Sequence, residues 1–185
     1  KNNRREGKWV FFYENGNVEQ QGNYMNGLED GEWKRYYSDG RIFVEESFYR
    51  GKEEGIYLEY DMNSNVIASG EYLEGEKEGE WIITINDFKA EGKFITGLRD
   101  GKWKYFYDNG NLLFEGNYIQ DNPDGRHKYY YPDGILKEEQ YYSSGIPDKH
   151  WKKFNALGEL IVTISYKDGL EYRINGVKID FPDEK

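Results

Sequence analysis

The chain contains two histidines, and histidine is the side chain best suited to proton transfer or metal binding near neutral pH. His127 stands at a position that is aromatic in the other copies of the repeat described below, opposite Gln140. This placement favours a substitution in the core over a catalytic role. His150 precedes Trp151 and is expected on the opposite face of its strand, where a metal site would need further ligands. No second histidine lies at ligand spacing, so we predict no metal site.

Clusters of Asp, Asn and Gly, such as residues 107–111, superficially resemble calcium loops with oxygen ligands. The spaced acidic pattern that ends in a bidentate glutamate is missing, and tight turns need the same residue types. We therefore favour turns over calcium sites. Carboxylates are abundant, but a hydrolytic pair needs a cleft that holds both groups, and a solvated sheet face offers none. No nucleophile, phosphate-binding or dinucleotide motif occurs, so we expect no catalytic residues, no cofactor and no enzymatic activity.

A Gly-x-aromatic step recurs seven times and organises nearly the whole chain. Its ring position falls every 24 residues, except for one interval of 22 residues. The residues at this position are Trp9, Trp33, Tyr57, Trp81, Trp103, His127 and Trp151. A fixed period of this length indicates one supersecondary unit stacked on copies of itself. We predict one repeat domain over residues 7–169, an N-terminal flank at 1–6, and a C-terminal capping hairpin and tail at 170–185.

Each copy of the repeat carries the signature of a β-hairpin. In the fifth copy an aromatic run meets Asn109 and Gly110, and a second apolar run follows. This pair predicts a two-residue type I′ turn, in which both residues have positive φ. Such a turn sets Trp103 opposite Gly116, and a ring across the strand pair can cover the glycine. The predicted fold class is all-β: one elongated antiparallel sheet of about seven consecutive hairpins, arranged like a solenoid.

The same register gives the other face of the sheet a different character. Opposite charges lie across this face, in the pairs Lys34 with Glu45, Lys104 with Glu115, and Lys128 with Glu139. Apolar pairs lie nearer the turns: Tyr36 with Phe43, Tyr60 with Ile67, Phe106 with Leu113, and Phe154 with Ile161. One aromatic position of this face recurs in six copies, at Phe12, Tyr36, Tyr60, Phe106, Tyr130 and Phe154. We call these six residues the aromatic stripe and predict that they contact a partner, because aligned exposed rings are typical binding anchors. The alternative is that the rings only shield the backbone and stiffen the strands.

Composition limits the classes of partner. The net charge of −10 counts against nucleic acid and against direct binding to an anionic membrane. The one basic cluster, Lys1–Arg5, is interpreted as a solvated terminus rather than a docking tail. The absence of cysteine is compatible with the cytoplasm or with an oxidising compartment. Because the chain starts at Lys1 rather than at Met, we expect a processed or trimmed form, and we favour an exported or cell-envelope location over the cytoplasm.

The repeat unit resembles the MORN repeat, and it is most similar to the bacterial variant of YwqK-family antitoxins. The pattern Gly-x-Trp-x-x-Tyr/Phe-Tyr-x-Asn/Asp-Gly-x-Leu-x-x-Glu-Gly-x-Tyr recurs in register over roughly residues 7–169, with clear junctions at Tyr24–Gly31 and Phe94–Gly101. Departures are Asp121, where the pattern has the junction glycine, and Lys149, where it has the repeat glycine. The resemblance implies an extended sheet of successive hairpins that serves mostly as an interaction scaffold.

We therefore predict a non-catalytic scaffold, a monomer in isolation, that mediates protein–protein interaction. One alternative is an antitoxin-like protein whose acidic surface neutralises a basic toxin. A second is a surface carbohydrate-binding module in which exposed Tyr and Trp rings stack on sugars. A deep pocket with convergent carboxylates would instead favour an enzyme.

Overall fold

The computed structural model describes residues 4–86 and 88–179, and in this part of the chain it contains 19 β-strands and no helix. Antiparallel pairing joins these strands in one sheet, which confirms the predicted all-β succession of hairpins. The strands are β1 (Gly7–Phe12), β2 (Val18–Met25), β3 (Leu28–Glu29), β4 (Gly31–Tyr36), β5 (Ile42–Tyr49), β6 (Lys52–Glu53), β7 (Gly55–Tyr60), β8 (Val66–Leu73), β9 (Glu76–Ile85), β10 (Phe88–Ile95), β11 (Leu98–Phe106), β12 (Leu112–Ile119), β13 (Asn122–Tyr130), β14 (Leu136–Ser143), β15 (Ile146–Pro147), β16 (His150–Phe154), β17 (Leu160–Lys167), β18 (Leu170–Ile174) and β19 (Val177–Lys178).

The repeat region holds the fourteen hairpin strands that its period predicts, although three of these strands are each divided in two. The divided strands are β3 with β4, β6 with β7, and β15 with β16. After the repeats, β18 pairs with β17 and forms a short hairpin with β19 around Asn175 and Gly176. A capping role for this hairpin stays a prediction, and the tail from Phe181 lies outside the described residues.

Contacts divide the described chain into two compact units. The first unit holds the residues up to Ile85 together with Phe94–Leu98, and the second holds the described residues of Asn86–Lys93 and those from Arg99 onward. Each unit buries its own large rings. Trp33 and Trp81 are buried in the first unit, and Trp103 and Phe114 are buried in the second.

The predicted register is confirmed through the middle of the hairpins. Trp9 lies opposite Gly22, Tyr57 lies opposite Gly70, and Trp103 lies opposite Gly116. The charged pairs occupy their predicted cross-strand positions as well: Lys34 with Glu45, Lys104 with Glu115, and Lys128 with Glu139. In the first of these pairs the Lys34 Nζ lies 2.6 Å from a carboxylate oxygen of Glu45. Alternation along each strand therefore sorts rings to one face and these charges to the other.

The prediction of two-residue type I′ turns is wrong for six of the seven repeat hairpins, and the fourth turn lies partly outside the described residues. In the first hairpin Gly16 N–H donates to Tyr13 O at 2.9 Å, and Tyr13 N–H donates to Asn17 O at 2.8 Å. Gly16 has a φ of 86°, whereas Asn15 is not in the left-handed region. The hydrogen bonds define a three-residue loop in which only the glycine needs positive φ. Asn15 contributes in another way, because its side-chain oxygen accepts the N–H of Asn17 at 3.0 Å.

The longer loop shifts the pairs nearest each turn by one residue. Tyr36 lies opposite Ile42 instead of Phe43, because the register changes between Arg35 and Tyr36. Phe43 is the extra residue of a β-bulge that restores the predicted register farther from the turn. The predicted pairs of Tyr60 with Ile67, Phe106 with Leu113, and Phe154 with Ile161 are wrong for the same reason. The observed partners are Val66, Leu112 and Leu160.

Each glycine that pairs with a ring position is covered by a ring of the following hairpin. The expectation that the ring directly opposite in the same hairpin covers the glycine is therefore wrong. A Cβ added at Gly22 would lie 2.1 Å from a ring atom of Trp33, although Gly22 pairs with Trp9. Gly70 is covered in the same way by Trp81, and Gly92 by Trp103. Adjacent hairpins are therefore joined by a ring of one packed against bare backbone of the other.

Candidate functional site

The aromatic stripe occupies equivalent positions in six hairpins. Each of its residues is the last residue of a first hairpin strand, directly before the turn. Phe12, Tyr36 and Tyr60 end β1, β4 and β7 in the first unit. Phe106, Tyr130 and Phe154 end β11, β13 and β16 in the second unit. Each unit thus carries three stripe positions on its own strands.

The stripe rings differ in exposure. Phe12 is 60% exposed, whereas the other five rings are half-buried. Half-burial keeps part of each ring on the surface and fixes the rest against its neighbours. The stripe is therefore neither an open set of rings nor a buried core.

Hydrogen bonds hold the stripe tyrosines in place. Gln21 Nε2 donates to the Tyr36 hydroxyl at 2.6 Å, and the Tyr60 hydroxyl donates to Glu45 at 3.0 Å. The Tyr130 hydroxyl donates to Glu115 at 3.1 Å. Burial, together with this bond to a carboxylate, raises the pKa of Tyr130 to about 12. Each bound partner lies 15 residues earlier in the chain, in the preceding hairpin, so the orientation of each ring depends on its neighbour.

A second row of tyrosines, which the sequence reasoning missed, fixes the backbone of the stripe. We call Tyr13, Tyr37, Tyr107 and Tyr131 the inter-hairpin tyrosines. The hydroxyl of each one donates to the carbonyl oxygen of the stripe residue 23 positions later, at 2.6 to 2.9 Å. The signal was present in the sequence, because a tyrosine directly follows the stripe residue in four copies. Its partner lies in the next hairpin, however, and alternation within one hairpin does not reveal it.

Removal of one inter-hairpin hydroxyl should lower stability without removing a ring. We expect Tyr107→Phe to reduce the free energy of unfolding by about 1 kcal/mol, because the carbonyl of Tyr130 loses its side-chain donor. Urea denaturation followed by far-UV circular dichroism measures the change. Tyr49→Phe is the matched control, since Tyr49 is 57% exposed, and its effect should stay within about 0.5 kcal/mol. Equal losses in the two variants would contradict a role for the hydroxyl row.

His127 performs the structural task of a tryptophan. The ring is 1% exposed and lies on Gly116, as Trp103 lies on Gly92. Its Nε2 is 2.7 Å from the carbonyl oxygen of Asn117. A carbonyl only accepts, so Nε2 carries the proton, as the indole N–H does when Trp103 donates to Lys93 O. Burial lowers the pKa of His127, which keeps the ring neutral.

The lowered pKa predicts a pH effect on stability. The unfolded chain binds a proton at this histidine below about pH 6.5, while the folded chain resists protonation until the pH reaches its lower pKa. The contribution of His127 is therefore fully present above about pH 6.5 and decreases as the pH falls below that value. We expect the stability advantage of His127→Trp over the wild type to grow between pH 7 and pH 5, by at most about 1.4 kcal/mol per pH unit.

Urea titrations of both proteins at several pH values measure this difference. Because the two proteins contain the same carboxylates, the effect of carboxylate titration on stability is the same in both and does not contribute to the difference. A difference that is constant between pH 7 and pH 5 would contradict a neutral, buried His127.

The second histidine is bound differently. His150 is exposed, and its Nδ1 lies 2.9 Å from the Oγ of Ser165, its cross-strand neighbour. Ser165 is 4% exposed, so its hydroxyl is not accessible as a nucleophile. Within residues 4–86 and 88–179 no group of three or more His, Cys, Asp or Glu residues is arranged to hold a metal ion.

Two adjacent carboxylates have opposite pKa shifts, which is a common property of acid–base pairs. Lys34 lowers the pKa of Glu45, whereas burial raises the pKa of Glu46, whose carboxylate lies 2.8 Å from Arg35 Nη2. Successive residues of a strand point to opposite faces, so these two groups do not converge on one substrate. The shifts reflect a partly exposed ion pair on one face and, on the other, a buried carboxylate whose partner Arg35 is exposed.

Shallow grooves run across the charged face of each unit. In the first unit, two grooves of about 210 and 220 Å³ both include Glu32 and Lys34 among their lining residues. In the second unit, a groove of about 190 Å³ is lined by Lys102, Glu115, Gly116, Asn117, Arg126 and Lys128. Among the residues that the structure describes, no helix is long and apolar enough to cross a membrane. The geometry defines a class of protein: a sheet of stacked β-hairpins whose candidate contacts are surface residues.

Comparison with known families agrees with this class. The family model for the MORN repeat variant matches residues 5–26, 29–49, 99–120 and 123–144. Each matched segment begins before a Gly-x-ring step and ends at the last residue of the second strand of the same hairpin or one residue after it. These four matches support a MORN-repeat protein. No curated protein matches the chain significantly.

Proposed function

We propose that this protein is a non-catalytic scaffold that binds a protein partner through the aromatic stripe. The observation that carries the proposal is that stripe rings are both immobilised and accessible. The hydroxyls of Tyr36, Tyr60 and Tyr130 are hydrogen-bonded, yet part of each ring stays at the surface. A ring held in one orientation loses little conformational entropy on binding, which favours its use as a contact.

The neighbouring row of tyrosines supports this assignment. Carbonyl oxygens of Tyr36, Tyr60, Tyr130 and Phe154 are bound by the inter-hairpin tyrosines, so the backbone under these rings is fixed as well. MORN repeats typically serve as interaction scaffolds, which is consistent with a binding role. The proposal treats the stripe of each unit separately, with three positions in each.

Capture of partners from the native cell tests the proposal. One variant replaces Phe12, Tyr36 and Tyr60 with serine, and a second replaces Phe106, Tyr130 and Phe154 with serine. We expect at least one variant to lose the partners that the full wild-type chain captures, with its β-sheet circular dichroism retained. Tyr13→Phe/Tyr37→Phe is the control, because it weakens inter-hairpin bonds without removing a surface ring, and it should retain capture.

Phe12→Ser alone keeps the test decisive if a triple variant fails to fold. Phe12 is the most exposed stripe ring, so its replacement should cost little stability. Full capture by folded stripe variants of both units would contradict the proposal and would leave the rings with a purely structural role.

An antitoxin-like protein of the bacterial variant type is the second candidate. The net charge of −10 favours it, because an acidic surface attracts a basic toxin. In that case a captured partner should be a basic protein, and its binding should survive replacement of the stripe rings. Capture that depends on the rings favours the scaffold, whereas capture of a basic protein that is independent of the rings favours the antitoxin.

A further inference from the structure

The second unit carries a basic patch on its charged face, although the chain as a whole is acidic. The patch consists of Lys102 and Lys104 in β11, Arg126 and Lys128 in β13, and Lys152 in β16. Residues of one strand that are two positions apart share a face, so both members of each pair lie on the same side of the sheet.

The patch contains one row in which charges alternate across the strands. Glu115 lies between Lys104 and Lys128 in the backbone pairing. Glu139 lies between Lys128 and Lys152 in the same way. This row holds three lysines and two glutamates, so it leaves one positive charge.

The neighbouring row holds cations with neutral cross-strand partners. Lys102 lies opposite Asn117, and Arg126 lies opposite Tyr141. Together the two rows hold five cations and two carboxylates, and these seven charged residues carry a net charge of +3. Glu91, whose carboxylate lies 3.8 Å from Lys104 Nζ, and Asp124, which pairs with Asn117, reduce the net charge of the patch and its neighbours to +1. The chain carries −10 in total, so the patch is opposite in sign to the chain as a whole.

The first unit provides an internal comparison at the same repeat positions. The residues equivalent to the five cations are Glu32, Lys34, Ile56, Leu58 and Ile82, and the two opposite positions are Glu45 and Ser69. One cation and two carboxylates give these seven positions a net charge of −1. The MORN-like hairpin therefore folds without the basic patch, and the cations are not a requirement of the repeat.

Carboxylates lie within 4 Å of four of the five cations, but they are shared or distant, as for Lys104, whose Nζ is 3.8 Å from Glu91. Glu115 is shared by Lys102, at 2.7 Å, and Lys128, at 3.6 Å, and it also accepts the Tyr130 hydroxyl. The Arg126 Nε lies 3.7 Å from Glu139, which is beyond hydrogen-bond distance. The side chains of Lys102 and Arg126 are 55% and 53% exposed.

A groove gives an anionic group access to these cations. It has a volume of about 190 Å³, and Lys102, Arg126 and Lys128 line it together with Glu115 and Asn117. Gly116 forms part of the lining and contributes no side chain. The register changes between Glu115 and Asn117, so the strands on either side of Gly116 are not in continuous pairing there. The groove thus combines three cations and Glu115 with an interruption of the pairing between β12 and β13.

Two acidic residues near the patch, in the segments that join successive hairpins, bind backbone N–H groups and do not pair with its cations. Asp124 accepts the N–H of Ser144 at 3.0 Å, and Asp148 accepts the N–H of Lys149 at 2.8 Å. These two carboxylates stabilise turns. The aromatic stripe, by contrast, lies directly beside the patch, because Phe106 and Tyr130 follow Lys104 and Lys128 by two positions on the same face.

We propose that the basic patch binds an acidic, extended segment of a protein partner, with carboxylates over Lys102 and Arg126 and an apolar side chain against Phe106 or Tyr130. This inference rests on the proposed scaffold function and specifies the chemistry of its partner. Equivalent cations of successive hairpins are two strands apart, about 10 Å. A segment in the extended polyproline II conformation covers about 9 Å in three residues and returns every third side chain to the same side. The segment therefore presents Asp or Glu at every third position.

The distribution of charge favours a peptide over a polyanion. A nucleic acid or an anionic membrane presents a dense array of phosphates, which a patch with a net charge of +1 on a chain of −10 does not neutralise. An acidic peptide carries few charges, and it offers apolar side chains that match the adjacent rings.

Fluorescence anisotropy with the full chain tests the proposal. The probe is a fluorescein-labelled 13-residue peptide with Asp at every third position, one central Leu, and Ser and Gly elsewhere. We expect saturable binding that weakens with added salt and that weakens about tenfold in Lys102→Gln/Arg126→Gln, as expected for the loss of two ion pairs. Lys8→Gln/Lys34→Gln is the matched control, because it removes the same charge from the charged face of the first unit, and it should bind like the wild type.

Three results would overturn the inference. The first is no saturable binding of the Asp peptide, or equal binding of the same peptide with Asn in place of Asp. The second is equal weakening by the two double variants. The third is tighter binding of a 13-nucleotide single-stranded DNA, or of phosphatidylserine vesicles, than of the peptide. Circular dichroism confirms that the glutamine variants are folded, since all four replaced residues lie on the surface.

The outcome also separates this inference from the proposed function. If the stripe variants lose partner capture while Lys102→Gln/Arg126→Gln retains it, the scaffold function stands and the acidic-segment inference is wrong. If the glutamine variant loses both peptide binding and partner capture while the stripe variants retain capture, the patch binds the partner and the stripe does not.

Discussion

Replacement of Trp103 by alanine is expected to destabilise the protein by about 3 to 5 kcal/mol. Trp103 is 2% exposed, its ring covers Gly92, and its N–H donates to Lys93 O at 3.1 Å. The truncation uncovers the backbone at Gly92 and leaves the carbonyl of Lys93 without the indole N–H donor. Urea denaturation followed by circular dichroism measures the loss, which should also lower the melting temperature by about 10 °C.

Trp9→Ala is the matched control for this prediction. Trp9 holds the same repeat position but is 38% exposed. Its replacement should cost no more than about 2 kcal/mol, because much less apolar area is uncovered. If Trp103→Ala lowers the free energy of unfolding no more than Trp9→Ala does, the packing of Trp103 on the preceding hairpin does not stabilise the protein.

The second large effect is expected when a methyl group is added at Gly70. A Cβ at this position would lie 2.2 Å from ring atoms of Trp81, and the Trp81 ring is 1% exposed and cannot withdraw without losing its packing. We expect Gly70→Ala to reduce the free energy of unfolding by about 3 kcal/mol, at the upper end of the range for overpacked cores. Thermal and urea denaturation of the variant and the wild type provide the measurement.

Gly55→Ala separates steric overlap from backbone strain. A Cβ at Gly55 has no heavy atom within 4 Å, so its cost arises only from the φ of 87°. That cost should be about 1 kcal/mol, smaller than the cost at Gly70. In the double variant Gly70→Ala/Trp81→Leu, the smaller leucine leaves room for the added methyl group. The double variant should therefore lose less stability than the sum of the losses in the two single variants. Additive losses would mean that the ring and the glycine do not share one packing site.

Much of the hairpin could be predicted because its determinants are local. A turn of Asn, Asp and Gly fixes where the chain reverses, and alternation along the strands fixes which side chains share a face. The pairing of Trp103 with Gly116 followed from these two facts alone. The turn type itself did not follow, because a three-residue loop with a compensating bulge gives the same register in the middle of the hairpin.

The candidate site was predicted in outline only. The six stripe positions follow from the period, but their exposure depends on neighbouring hairpins. Phe12 is largely exposed, while Tyr36 is half-buried and bonded to Gln21. The difference arises because, among the described strands, β1, which carries Phe12, pairs with β2 alone, whereas β4, which carries Tyr36, pairs with both β2 and β5.

The sequence by itself determined the hairpin period, the central register, and the separation of rings from charged pairs, because these properties depend on residues within one hairpin. Only the tertiary structure decided which ring covers which glycine, which carbonyl each inter-hairpin tyrosine binds, and where five cations meet on one face. Trp33 reaches Gly22 and Tyr107 reaches Tyr130 across a junction between hairpins. Such contacts depend on the geometry with which one hairpin stacks on the next, and alternation within a strand does not specify that geometry.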